Sequence, residues 1–168
     1  MATIEEVSIE MVWLLKAVRL RALQDMPSAF GSTFAGESQL TDEEWRKRAA
    51  AWSGDGSVCF LAMEDGSPCG IVAGKLSDSS EARFAEVMSM WVAAKMRGTG
   101  LAASLVGAVE RWAQRPGVDH LRLTVTSSNA RAIGFYKKCG FALTGRTEPY
   151  PNDAALVEYE MVKPLLAS

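Results

Sequence analysis

Between residues 86 and 136 the sequence sets out a carboxylate on an apolar strand, a glycine turn, and a phenol on a short capped helix. Gly98-Thr99-Gly100 stands where "VMSMWV" (87–92) gives way to "LAASLVGAVERWA" (101–113). The first amides of a helix have no intrahelical carbonyl to bond. With the macrodipole behind them they favour an anion, most often phosphate. Glycines let oxygen atoms approach the backbone, and Arg97 adds positive charge beside them. A tight strand-to-helix turn that binds nothing is the alternative. Glu86 shares strand parity with Met88, Met90 and Val92, so its carboxylate lies along a largely apolar face. Desolvation there raises its proton affinity toward that of a useful base; a solvated charge where the strand begins is the alternative.

The glycine turn has two other readings. A P-loop needs Gly-Lys followed by Ser or Thr, and no such run occurs. Gly98, Gly100 and Ala103 fit the dinucleotide pattern G-x-G-x-x-A. In that pattern the first glycine leaves the strand almost directly, whereas Ala93 to Arg97 intervene here. The next strand, "LRLTVTSSN", also ends in hydroxyls and an amide where an acid is required. A nicotinamide enzyme is therefore the weaker alternative.

Composition narrows the classes further. The formal net charge of −2 offers no basic field for nucleic acid. Cys59, Cys69 and Cys139 form no C-x-x-C pattern, and His120 is the sole histidine, which argues against a zinc site or any other metal. Cys139, next to Gly140, reads as a buried packing thiol, and His120 as an ordinary strand residue. No apolar run approaches the roughly 20 residues of a membrane span, and the acidic "MATIEEVSIEM" lacks a signal peptide's apolar region. The expectation is a cytoplasmic protein with reduced thiols, no membrane contact and no nucleic-acid partner.

The elements that must hold these groups follow from periodicity. With 168 residues, 48% of them hydrophobic, one domain over 1–168 with its own core is expected. Residues 9–25 place Val12, Leu15, Val18 and Leu20 in helical rhythm, ended by Met26-Pro27. "SAFGSTFAGES" (28–38) reads as a loop with two exposed phenylalanines, and Thr41 with Glu44 opens a helix over 41–52 through a capping box. A hairpin follows: strands at 57–65 and 69–77 about a turn at Gly66–Pro68. A third strand spans 83–92, and a helix from 101 buries Leu101, Leu105, Ala108, Val109 and Trp112 until Pro116-Gly117. "HLRLTVT" (120–126) alternates strictly, 129–140 is a short helix between Asn129 and Gly140, and strands at 141–146 and 155–163 finish the chain. No crossover helix fits between 57 and 92, so the sheet is mixed α/β and not wholly parallel.

Taken together, residues 83–146 resemble the GNAT (GCN5-related N-acetyltransferase) superfamily. "VMSMWVAAKMRGTGLAASLV" is similar to its cofactor-binding motif, and "LTVTSSNARAIGFYKKCGF" to its second motif, in the same order and about 30 residues apart. One departure is Lys95, where the family pattern has Gln or Arg three places before the first glycine. The resemblance implies a mostly antiparallel, twisted sheet flanked by helices, with splayed central strands. It implies acetyl-CoA as co-substrate: its pyrophosphate on the amides from Arg97 through Gly98, Thr99, Gly100 and Leu101 to Ala102, and its pantetheine arm along Met90, Trp91 and Val92. Asn129 is then both helix cap and pantetheine contact, with a purely structural cap as the alternative.

Acetyl transfer to an amine poses two proton problems. An ammonium of pKa about 10 must lose a proton before it attacks, and the departing sulfur gains from a donated one. By the motif match, Tyr136 is both a cofactor contact, with its hydroxyl near the thioester sulfur, and the candidate acid; an ordinary packing tyrosine beside Ile133 is the alternative. Glu86 is the candidate base, directly or through water. The family's acceptor walls correspond to "SAFGSTFAGES" and "RTEPYPNDAA", so Phe30, Phe34, Glu148, Tyr150 and Asp153 are candidates for an aromatic, acidic acceptor pocket; two surface loops with stray aromatics are the alternative. The leading function is transfer of acetyl to a primary amine of a small molecule. The alternatives are an N-terminal or lysine acetyltransferase acting on proteins, and a non-catalytic acyl-CoA-binding module. Family habit also implies a homodimer.

Overall fold

The computed structural model describes residues 2–27, 30, 32–77 and 83–165. In chain order the elements are β1 (Thr3–Glu6), α1 (Val12–Asp25), α2 (Phe34–Glu37), α3 (Asp42–Ala51), β2 (Ser57–Glu64), β3 (Ser67–Leu76), β4 (Phe84–Val92), α4 (Leu101–Ala113), β5 (His120–Thr126), α5 (Ala130–Lys138), β6 (Ala142–Pro149) and β7 (Val157–Pro164). The strands form one sheet in the order β1-β2-β3-β4-β5-β7-β6. Every neighbouring pair is antiparallel except β4 and β5, which are parallel. This is the mixed, mostly antiparallel sheet flanked by helices that the sequence implies.

Several boundaries differ from expectation for local reasons. β1 has no counterpart in the sequence reading, because Ile4 is its one apolar residue; it is held as an edge strand by pairing Thr3 to Glu6 with Met63 to Phe60. A 3₁₀ turn at Ile9–Met11 precedes α1, whose buried stripe is Val12, Leu15, Val18, Ala22 and Leu23, with Leu20 half-buried beside it. The hairpin turns at Asp65-Gly66, both at positive φ (52° and 77°), as a two-residue loop demands. Ser67 and Pro68 already belong to β3, and Pro68 sits opposite Met63 at a register shift, where a strand tolerates a missing N–H. Of the expected loop at 28–38, residues 28, 29 and 31 lie outside the described residues. Its remainder contains α2, capped by Thr33, whose hydroxyl accepts from the Gly36 amide at 3.1 Å. Its phenylalanines are not exposed: Phe30 is 6% accessible and Phe34 packs half-buried on the core. At Thr41 the expected cap is present, the hydroxyl accepting from Glu44 N–H at 3.2 Å.

Two glycines on β3 bring α4 onto the sheet. A Cβ at Gly70 would lie 3.1 Å from Leu105 Cδ1, and one at Gly74 only 2.8 Å from Val109 Cγ1. Leu105 and Val109 are fully buried there, each contributing about 1.5–3 kcal/mol of hydrophobic stabilisation. The opposite face of β3, carrying Ile71 and Ala73, lines a small cavity with Leu15 of α1 and Trp45 of α3. The core therefore occupies both sides of the sheet.

One strand irregularity matters for the site. Ile71 pairs with Trp91 but Ala73 pairs with Met88, so β4 carries one extra residue between those rungs. Ser89, at φ 57°, is in the left-handed region within it. The bulge switches side-chain parity along β4. Glu86 consequently shares its face with Met88 and Trp91, opposite Lys75, Ala73 and Ile71, and not with Val92.

Candidate active site

β4 and β5 are paired only at Phe84↔His120, Ala85↔Leu121 and Glu86↔Arg122, although both strands continue well beyond. β5 goes on pairing with β7 up to Thr126, and β4 goes on pairing with β3 up to Val92. Past Glu86 and Arg122 the two strands part, and the splay expected of the central strands is present. Two cavities border this fork.

The first, of about 200 Å³, is lined by Met90, Trp91 and Val92 from β4, Arg97 and Gly98 from the turn, and Ala102 from α4. Asn129, Arg131, Ala132, Phe135 and Tyr136 close it from the α5 side, with Met26 beyond the end of α1. Gly98 and Gly100 both have positive φ (82° and 89°), the conformation that turns strand into helix here, and a Cβ on either would meet open space. The amides of Gly98, Gly100, Ala102 and Ala103 find no acceptor among the described residues. Those of Arg97 and Thr99 are spent on turn bonds to Ala94 and Met96, and that of Leu101 points to Thr99 Oγ1 at 3.4 Å. The set of amides open to an anion is thus narrower than the run Arg97–Ala102 and extends one residue further. A neighbouring groove between α4 and α5 contains Gly98, Gly100, Ala102 and Ala103 together with Lys138 and Lys163.

Arg97 is not a free cation. Its Nε donates to the Val92 carbonyl at 3.1 Å, and its Nη2 donates to Asp25 at the end of α1. Asp25 also accepts from the Trp91 indole at 2.9 Å. The Trp91 hydrogen bond first, and that of Arg97 second, hold the Asp25 carboxyl below its usual range. The anion-favouring field of the turn therefore comes from its amides and the helix dipole. Lys95, the departure from the family pattern, is turned toward Glu64 at 3.2 Å.

Tyr136 lines the first cavity with its ring held against Phe135 and edge-on to Phe141, at centroid distances of 5.2 and 5.8 Å. Its hydroxyl has no hydrogen-bond partner among the described residues. Burial pushes its ionisation well above the ordinary value of 10.0, so the phenol keeps its proton. Asn129 caps α5, its Oδ1 accepting from Ala132 N–H at 3.1 Å, which leaves its amide group for the cavity. Cys139 is half-buried, not fully buried, and burial pushes its thiol up. His120 is bonded to Asp119 on the surface side.

The second cavity, about 320 Å³, is lined by Glu86, Met88 and Ser89 of β4, Thr124 and Thr126 of β5, and Glu158 of β7. Arg19, Phe30, Ser32, Val87 and Pro151 complete it. Glu86 lies 3.3 Å from Arg122 Nη1. Burial pushes the Glu86 carboxyl up; Arg122 offsets part of this, while Glu148 and Glu158 add to it. On the far wall, Arg19 forms a two-bond pair with Glu37 at 3.0 Å, reaches Ser89 Oγ at 2.9 Å, and stacks on Phe30 at 5.0 Å. Beside the cavity, the Tyr150 hydroxyl donates its one proton to the Phe30 carbonyl at 2.6 Å, with the Pro27 carbonyl next to it at 3.3 Å, and Asn152 Nδ2 donates to the same Phe30 carbonyl at 3.3 Å. These bonds tie the β6–β7 loop to the chain after α1.

Among the sequence-designated residues, Met90, Trp91, Val92, Arg97, Gly98, Ala102, Asn129 and Tyr136 share the first cavity. Thr99, Gly100 and Leu101 shape the turn without lining it. Of the acceptor group, Phe30 lines the second cavity, and Tyr150 is buried and bonded to the Phe30 carbonyl. Phe34 packs on the core, Glu148 is bound to Arg122 at 2.8 Å, and Asp153 caps its own loop through Ala155 N–H. Sequence reasoning missed Arg19, Glu158, Ser89 and Arg131. Arg19 had a trace in the sequence, a cation among the apolar residues of a core helix; the others depend on the fork and the bulge.

Residues 20–141 match the acetyltransferase (GNAT) family. The chain belongs to that family. It is similar to the streptothricin acetyltransferase of Escherichia coli, 31% identical over 115 residues, covering 64% of each chain. Its fold resembles an acetyltransferase of the GNAT family from Streptococcus pneumoniae, with TM-score 0.82, 23% identity, and 99% and 100% of the two chains covered. It also resembles the PaiA N-acetyltransferase of Thermoplasma acidophilum, solved in complex with coenzyme A, with TM-score 0.74, 19% identity, and 98% and 99% covered. The chain spans 64%, 40% and 38% of the lengths of three curated relatives it matches. Among the described residues no helix is long and apolar enough to cross a membrane.

Proposed function

We propose that the protein is an N-acetyltransferase that moves acetyl from acetyl-CoA to a primary amine of a small molecule by direct attack. The observation that carries the reading is the fork between β4 and β5, with a cavity carrying unbonded helix-entry amides on one side and a cavity carrying Glu86 on the other. The open amides of Gly98, Gly100, Ala102 and Ala103 suit the diphosphate of acetyl-CoA, and the β4 segment Met90–Val92 suits its amide-bearing arm. Bound acetyl-CoA supplies an acyl thioester. Glu86, its proton affinity raised by burial, takes a proton from the acceptor ammonium, directly or through water. As the N–C bond forms and the C–S bond breaks, Tyr136 gives its retained proton to the sulfur and takes back the second proton that the nitrogen sheds, while the proton on Glu86 passes to solvent.

A small acceptor is favoured over a protein by the Tyr150–Phe30 bond, which ties together the two segments that bring Phe30 and Pro151 to the wall of the second cavity. The relative named for streptothricin supports the same class. A cytoplasmic homodimer belongs to the reading as well, and sedimentation in solution tests its assembly. The central experiment incubates the protein with acetyl-CoA and a panel of aminoglycosides, polyamines, amino acids and short peptides, following free CoA thiol. Thiol release with a small amine is expected. Release with peptides alone replaces the reading with a protein acetyltransferase, and acetyl-CoA binding without release under any acceptor replaces it with a binding module.

A further inference from the structure

The parting of β4 and β5 takes place at one residue. Arg122 occupies the last paired rung, opposite Glu86, with its side chain 17% exposed. Its Nε donates to Glu160 of β7 at 2.7 Å, and its Nη2 donates to Glu148 of β6 at 2.8 Å. Thr144 of β6 holds the other Glu160 oxygen at 2.9 Å. The guanidinium plane lies over Phe84, 5.6 Å from its centroid, so it is fixed from below as well as behind. With two edges committed, Nη1 faces Glu86 at 3.3 Å.

We propose that Arg122 is a positioning residue for Glu86: anchored to β6 and β7, it holds the Glu86 carboxylate on the wall of the acceptor cavity at the point where the strands separate. The inference rests on the reading of Glu86 as the base. A planar, permanently charged fork suits the task, because it keeps three directions at once where a lysine ammonium offers a point charge. Glu86 is faced by Arg122 of β5, Lys75 of β3, Glu148 of β6 and Glu158 of β7, while Arg19 of α1 lines the same cavity and is paired with Glu37. Arg122 and Lys75 favour the charged form of Glu86; Glu148 and Glu158 oppose it. Arg122 is thus also the main brake on the rise that burial imposes.

The test is the pH dependence of kcat/KM for an accepted amine in wild type, Glu86→Gln, Arg122→Gln and Arg122→Lys. Glu86→Gln should abolish the acidic limb. In Arg122→Gln that limb should persist but move upward by about one pH unit, the low end for an opposite charge at this distance because Glu86 is partly exposed. Activity on the acid side then falls about tenfold. Arg122→Lys should leave the limb near its wild-type position while lowering kcat. Acetyl-CoA affinity should be unchanged in all three. An Arg122→Gln profile lowered equally at every pH, with the limb unmoved, makes Arg122 a structural residue and overturns the proposal while leaving Glu86 as base. A limb that survives Glu86→Gln overturns both.

Discussion

Replacing Tyr136 by phenylalanine separates chemistry from packing, because the two make opposite demands on one oxygen atom. The ring contacts with Phe135 and Phe141 survive the change, and the lost hydroxyl has no partner among the described residues. The hydroxyl is not among the described side-chain atoms that are fully buried without a partner, and it faces the cavity, so the variant should match wild type in stability to within about 0.5 kcal/mol. Acetyl-CoA affinity, measured by calorimetry, should stay within about twofold, since the diphosphate and arm contacts proposed above lie elsewhere. Turnover should fall by about 10²–10⁴, the usual contribution of a placed acid, which is about 3–5 kcal/mol of barrier. The wild-type rate should show no alkaline loss from this group up to its ordinary value of 10.0, since burial keeps the proton on. The assay is thiol release at saturating acetyl-CoA, with urea melts of both proteins. Full activity in the variant refutes the acid role. A loss of activity that tracks a loss of stability refutes the claim that the oxygen is spare in the fold.

Two further outcomes follow from local geometry. Glu37→Gln removes a carboxylate whose side chain is 4% exposed and bonded by both Arg19 and Arg48; urea melts should show a loss of about 2–3 kcal/mol, below that of a fully buried pair because the Arg48 side chain is 39% exposed and Arg19 keeps its bond to Ser89. Burial alone pushes the Glu37 carboxyl up, but the Arg19 hydrogen bond and the two arginine charges outweigh it and the net shift is downward. The stability it contributes is therefore fully present above the unfolded value of 4.5 and is lost as pH falls toward the lower folded value, so wild type should lose its margin over Glu37→Gln in that acid window. Gly100→Ala meets no neighbour but forces a side chain to φ 89°; it should cost about 1–2 kcal/mol and weaken acetyl-CoA binding, both readable from thermal melts with and without the ligand.

Elements whose signals are local were legible in the sequence. Thr41 and Asn129 cap the helices they were expected to cap, and Leu121, Leu123 and Val125 face the core as their alternation requires. The strand–turn–helix at Gly98–Gly100 was legible because only glycine relieves those φ values. What escaped depends on pairing across the sheet. The extra residue at Ser89 shows only against β3, and a period-of-two reading carries Glu86 to the wrong companions beyond it. Glu37 looked like a loop charge, yet two arginines from α1 and α3 make it a buried one. Tyr150 and Phe30 meet across 120 residues of chain, a distance no local pattern encodes.

Asp25 gives the molecule a constraint of a different kind. The helix that carries Arg19 to the second cavity ends on the carboxylate that grips both the Trp91 indole and the Arg97 guanidinium. Chimaeras that exchange the first helix between relatives to alter acceptor choice will therefore inherit a second obligation. The incoming segment has to bring its own anion for Arg97, or the wall of the first cavity at Trp91 and Arg97 loses its footing along with the exchange.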